Sequence, residues 1–157
     1  MTKQDIYDFI RRHGSAVLAT AAADGAPQSA FMFVGITPDL DLIFYTLESN
    51  RKCENLRRDP RLSATFGDAQ AGQTLQYEGV AVEQSGTALE SARRTYLECL
   101  PDAVDRVQWP GLIFFKVRPV WLRYSEYGRG WKVEELRFPE NALPPPSRSV
   151  WQRLRGR

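Results

Sequence analysis

The segment TLQYEGVAVEQ, Thr74 to Gln84, alternates apolar and polar side chains and carries a glycine in its middle, at position 79. Alternation at a period of two predicts a strand with one face buried. A glycine inside such a strand marks a bulge or a sharp bend. A sheet built around this strand has to curl, so the chain is directed toward a small barrel or a curved α+β layer and away from a flat open sheet.

The rest of the sequence supplies partners for that strand. SAVLAT (Ser15 to Thr20) and SAFMFVGI (Ser29 to Ile36) flank a polar connection containing Asp24-Gly25 and read as two strands of a hairpin. LDLIFYT (Leu40 to Thr46) is a third strand after the turn signal Thr37-Pro38-Asp39, and RLSATF (Arg61 to Phe66) a fourth. LIFFKV and VWLRYSEY read as two further strands separated by Pro119, and GWKVEELRF as the last. Helical spacing of Ile6, Phe9 and Ile10 predicts a first helix stopped by Gly14. Gly86 to Leu100, with Leu89, Ala92, Tyr96 and Leu97 on one face, predicts another. The expected class is mainly β (α+β), one folded domain over 1–138, followed by a Pro- and Arg-rich tail over 139–157.

Composition excludes several classes. With 43% hydrophobic and 25% charged residues in 157, the chain has ordinary globular usage and enough length for one real core. A net charge of +2 is weak for a nucleic-acid binder, so no nucleic-acid partner is expected. Two cysteines (Cys53, Cys99) and a single histidine (His13) leave a zinc site or a disulfide framework without ligands. The N-terminus MTKQDIYDFIRRHG is broken by charges, so neither a signal peptide nor a membrane span is expected, and a cytoplasmic location follows by default. His13 is expected to cap the first helix and Cys53 to be buried and inert.

The chemistry-bearing stretch is FYTLESNRKCENLRRDPR, Phe44 to Arg61. A strand passes through a polar turn into a helix whose first residues are Arg51 and Lys52, and Pro60 ends the helix. Cations at a helix start oppose the macrodipole and the unpaired N–H groups there. Two readings stay open on the residues alone. The pair points into water or pairs with Glu48, Glu54 or Asp59, or it neutralises a phosphate held by the helix start.

The stretch Phe44 to Phe66 resembles the pyridoxamine 5′-phosphate oxidase-like, FMN-binding split β-barrel family, in which F-Y-T, a turn, S-R-K and a helix ending N-P-R precede the next strand. The resemblance reaches back through DGAPQSAFMFV and forward to YEGVAVE. It implies FMN as cofactor, with the phosphate held by Arg51 and Lys52, the flavin lined by Tyr45 and Thr46, and the ring running along Ala30, Phe31, Met32 and Phe33. Asn50 stands where the family has serine and is expected to cap the helix or bond the phosphate. Thr74, with Gln76 as a rival, falls where a polar side chain reaches the ring. The family builds its sites between two protomers, so a homodimer is implied, with Trp121 or else Arg123 reaching the partner's flavin.

Departures matter equally. The family's arginine at the start of the flavin strand is Ala30 and the lysine at its end is Gly35. The C-terminal Arg and His pattern that grips substrate phosphate is missing from RSVWQRLRGR. The resemblance therefore implies an FMN-dependent oxidoreductase that is not a true pyridoxamine-phosphate oxidase. Hydride would come from a reduced nicotinamide and pass to an unknown small acceptor, with no catalytic side chain assigned. Alternatives are a non-catalytic flavin-binding module, or a member of the fold that carries the deazaflavin F420 or haem instead.

Overall fold

A computed structural model describes residues 1–128 and 130–143. Helix α1 (Lys3–His13) begins at a capping box in which Thr2 and Asp5 bond each other's backbone N–H, and ends at Gly14 in the left-handed region. Strands β1 (Ser15–Ala21) and β2 (Pro27–Phe33) form the expected hairpin. The expected single strand Ser29 to Ile36 is instead divided at Val34, because β2 pairs with β1 whereas β3 (Gly35–Ile36) pairs with β4 (Leu42–Leu47). Helix α2 (Arg51–Arg58), β5 (Arg61–Asp68), β6 (Gln73–Glu83) and α3 (Gly86–Cys99) follow in the predicted order.

With β7 (Leu112–Tyr127) and β8 (Trp131–Arg137), all pairings are antiparallel and join one sheet in the order β2-β1-β5-β6-β7-β4-β3, with β8 on β7. The two strands expected around Pro119 are one, β7 (Leu112–Tyr127). The partner strand explains this. Opposite Glu78 and Gly79, β7 carries one extra residue, Val120, since Glu78 pairs with Trp121 and Gly79 with Pro119, so the proline falls at the irregularity, where a missing N–H disturbs the ladder least. The local carbonyls are used elsewhere: Val120 accepts from Phe138 N at 2.8 Å and Pro119 from Asn141 Nδ2 at 2.8 Å. The proline-rich tail enters the described residues only as the 3-10 turn Pro139–Asn141 and the two residues after it. Its basic end, Arg148 to Arg157, lies outside them.

The curl encloses one main core of α1, the inner faces of β1, β4, β5, β6 and β7, and Leu56 of α2. A smaller cluster under α3 packs Ala92 and Tyr96 on Ile43 and Phe114. This is a split β-barrel.

Tyr77 pins its centre. Its fully buried ring sends the hydroxyl to the carbonyls of Leu40 (3.0 Å) and Val117 (2.9 Å), bridging the turn before β4 and strand β7. The first of these acceptors belongs to a leucine at φ 69°, a region leucine rarely enters, and Leu40 is itself fully buried. Tyr77→Phe is expected to destabilise by about 1–2 kcal/mol, seen in chemical denaturation. Burial, with a smaller contribution from Asp41, raises the Tyr77 hydroxyl well above the ordinary tyrosine value. A group raised in the folded state contributes stability that is complete below its unfolded pKa and is lost as pH rises beyond it. Stability is thus expected to fall above about pH 10, the free tyrosine value, and less steeply in Tyr77→Phe.

Candidate functional site

Strand β4 leaves the core at Thr46, turns through Leu47 to Asn50 and enters α2, which lies against β1. Between the start of α2 and the β1–β2 hairpin is a cleft of about 240 Å³ lined by Leu18, Thr20, Gln28 to Ala30 and Ser49 to Lys52. None of these side chains is acidic.

The acids the two cations had as candidate partners are mostly taken. Glu48 and Glu83 accept from Arg57 at 2.9 Å, and Asp59 accepts from Arg61 at 2.5 and 2.8 Å. Among the described residues Arg51 and Lys52 form no ion pair. Lys52 Nζ donates to Thr46 Oγ1 at 3.2 Å, and burial lowers its pKa below the ordinary lysine value, with a further push from Arg51. Asn50 occupies the N-cap position without a side-chain cap bond. Its Nδ2 donates to the same Thr46 oxygen at 2.9 Å, so the expected capping role is replaced by a tie to β4. Two neighbouring cations thus stand at the positive end of α2 without an ion pair among the described residues, the one acid of that turn, Glu54, being exposed and outside the cleft lining, an arrangement suited to an anionic ligand.

The expected site residues separate into three groups. Ala30, Asn50, Arg51 and Lys52 line the cleft, and Thr46 is bonded to two of them. Met32 lies on the inner face of β2 with Ala30, half-buried against the core. Phe31 (65% exposed) and Phe33 (54%) point from the outer face, where register sets Phe31, Val17, Thr65, Gln76 and Arg123 in one row across five strands. Thr74 and Trp121 lie on that outer face two positions from Gln76 and Arg123, and Trp121 Nε1 donates to Glu135 at 3.2 Å. Tyr45 is apart from both groups, its ring against Tyr96 (5.1 Å) and Phe114 (5.3 Å) under α3.

Residues not expected from the sequence complete the cleft. Thr20 and Gln28 face each other across β1 and β2. A signal existed for Gln28, which is two residues before Ala30 on the same strand and shares its face. As expected, Cys53 is fully buried, with a thiol pushed up by burial; the capping role expected of His13 falls instead to Gly14, and His13, the last residue of α1, has its ring 4.3 Å from Phe9. Among the described residues no three potential metal ligands cluster, and no helix is long and apolar enough to cross a membrane.

Fold and cleft together define a split β-barrel with a cationic pocket at the strand–turn–helix junction. The chain belongs to the pyridoxamine 5′-phosphate oxidase family, whose profile matches residues 2–125. No curated protein matches it. Among solved structures it is similar to a heme-binding protein from Mycobacterium smegmatis (20% identity, TM-score 0.72, 87% of this chain). It spans 58% of that relative's length. It is also similar to General Stress Protein 26 from Bacillus anthracis (21% identity, TM-score 0.67, 87% of this chain and 98% of the other). A third is PhzG from Burkholderia lata in complex with tetrahydrophenazine-1-carboxylic acid (19% identity, TM-score 0.56, 85% and 86%). At these identities the likeness is one of fold.

Proposed function

We propose that the protein is an FMN-dependent oxidoreductase whose cleft holds the flavin phosphate. The observation that carries the reading is the Arg51–Lys52 couple at the start of α2, without an ion pair among the described residues, in a cleft whose lining holds no carboxylate. The residues present fit the group: a phosphate accepts hydrogen bonds and carries negative charge, and this cleft supplies donors and positive charge. Bound FMN supplies hydride and electron transfer, with a reduced nicotinamide as donor and a small molecule as acceptor. The chain's own tasks are to hold the phosphate with Arg51 and Lys52, to keep Lys52 in place through Thr46, and to offer the edge strand β2 along Ala30 to Phe33.

A homodimer completes this reading. Val17, Phe31 and Phe33 leave an apolar patch on the outer face, and Phe31 and Phe33 are in ring contact at 5.9 Å. A second copy covering that face gives Thr74 and Trp121 a route to the partner's flavin. A monomer mass in light scattering at micromolar concentration would remove this part.

The central test is the visible spectrum of the purified protein, before and after added FMN and then a reduced nicotinamide. A flavin band that bleaches is expected. A flavin band that never bleaches points to a non-catalytic flavin-binding module. A Soret band would instead favour haem, as in the heme-binding relative, and a blue-shifted band would favour deazaflavin. No flavin binding at all overturns the proposal.

A further inference from the structure

Behind the cleft, α2 is tied to the β1–β2 hairpin by a relay of polar groups whose middle, Asn55 and Thr20, is buried. At its outer end Arg58 Nη2 donates to Ala21 O (2.6 Å) and to Asn55 Oδ1 (3.2 Å). A guanidinium has donors only, so this contact fixes the Asn55 amide with its oxygen toward Arg58 and its nitrogen away. That nitrogen, Nδ2, donates to Thr20 Oγ1 and Gln28 Oε1, both at 3.0 Å. Asn55 is 4% exposed and Thr20 6%, so neither can turn to water instead.

The relay therefore has a direction. With Oε1 taken, Gln28 is left to offer its Nε2 hydrogens. Thr20, whose oxygen accepts from Asn55, is left to offer its hydroxyl proton. Both residues line the cleft that holds Arg51 and Lys52. Thr46 repeats the pattern, its oxygen accepting from Asn50 and Lys52. A hydroxylated ligand needs acceptors as well as donors, whereas an ionised phosphate needs donors alone.

We infer that Gln28 and Thr20 bind the phosphate of the cofactor as neutral donors, and that Asn55 is the positioning residue that keeps them so oriented. This rests on the flavin reading above and extends it to three residues on β1, β2 and the inner face of α2. Arg58, three hydrogen bonds of the relay away from the ligand, sets the polarity of the whole.

The test compares FMN with riboflavin, which lacks the phosphate, by flavin fluorescence titration, with inorganic phosphate as competitor. Gln28→Glu keeps the side-chain size but turns a carboxylate oxygen toward the ligand. It is expected to weaken FMN on the order of 100-fold with riboflavin unchanged. Asn55→Asp still accepts from Arg58 but gives Gln28 no donor, freeing its amide to turn an oxygen into the cleft. A loss of about 10-fold, for FMN only, is expected. Gln28→Leu, with the donor gone and no charge added, serves if the carboxylate variant does not fold, and is also expected to lose about 10-fold. Equal losses for FMN and riboflavin would assign these residues to shape alone and overturn the inference. So would FMN binding that depends on Arg51 and Lys52 but ignores Gln28 and Asn55. Wild-type protein that binds no FMN would overturn the flavin reading itself.

Discussion

Replacing Arg51 and Lys52 together by alanine is expected to weaken FMN binding by about 3–6 kcal/mol, on the order of 10² to 10⁴-fold, with riboflavin affinity nearly unchanged. The estimate takes each cation as one charge-assisted contact to the phosphate. The ligand-free protein should respond differently. Both charges stand at the positive end of α2 with no acidic partner among the described residues, and Lys52 is partly desolvated as well. Removing them relieves that repulsion and, among the described residues, deletes only the Lys52–Thr46 hydrogen bond, so the melting temperature without flavin should hold or rise. Calorimetry and fluorescence titration on the same samples check both halves. A large fall in thermal stability with unchanged FMN affinity would make the pair a structural feature and end the phosphate assignment.

Gly79→Ala is expected to be the most damaging single-methyl change in the barrel. A Cβ at this position would lie 2.6 Å from Val117 Cγ1, 2.7 Å from Arg118 O and 2.8 Å from Tyr77 Cε1. Val117 and Tyr77 are fully buried, and Tyr77 is held by its two hydrogen bonds, so no neighbour can move aside without disturbing the bulge or the Leu40 turn. Overpacking of this kind costs about 3 kcal/mol, or roughly 6–12 °C in Tm for a chain of this size. Gly128→Ala, where an added Cβ meets nothing within 4 Å, is the control and should melt with the wild type. Equal melting of the two variants would mean that β6 and β7 can part at the bulge, and the close approach of the strands there would lose its structural role.

The parts of the fold legible in the sequence are those decided within a few residues of chain. Gly14 marks the end of α1 by its own left-handed backbone and its bond to Ile10 O. Pro60 and the cations at the head of α2 read correctly because helix ends are set by adjacent groups. Gly79 announced the bulge because glycine inside an alternating strand has few other uses. Pro119 misled the reading for the complementary reason. Whether a proline breaks a strand depends on the hydrogen bond its partner asks for, and that partner is Gly79, forty residues earlier in sequence.

The candidate site divides along the same line. The residues themselves determined that a strand, a turn and a helix headed by Arg51 and Lys52 would follow one another, since periodicity, capping and proline geometry act locally. Tertiary structure alone decided what surrounds them. Arg57 and Arg61 claim Glu48, Glu83 and Asp59, and Glu54, exposed in the same helix turn, forms no ion pair with Arg51 or Lys52 among the described residues. Strand register sends Phe31 and Phe33 outward while Ala30 lines the cleft, and Tyr45 goes to α3 rather than to Lys52. Asn55 reads in sequence as an ordinary polar residue of a surface helix, yet it is buried between Arg58 and Gln28. Hydrogen-bond polarity and charge pairing depend on which distant groups come within about 3 Å, and that distance is fixed only when the sheet has curled.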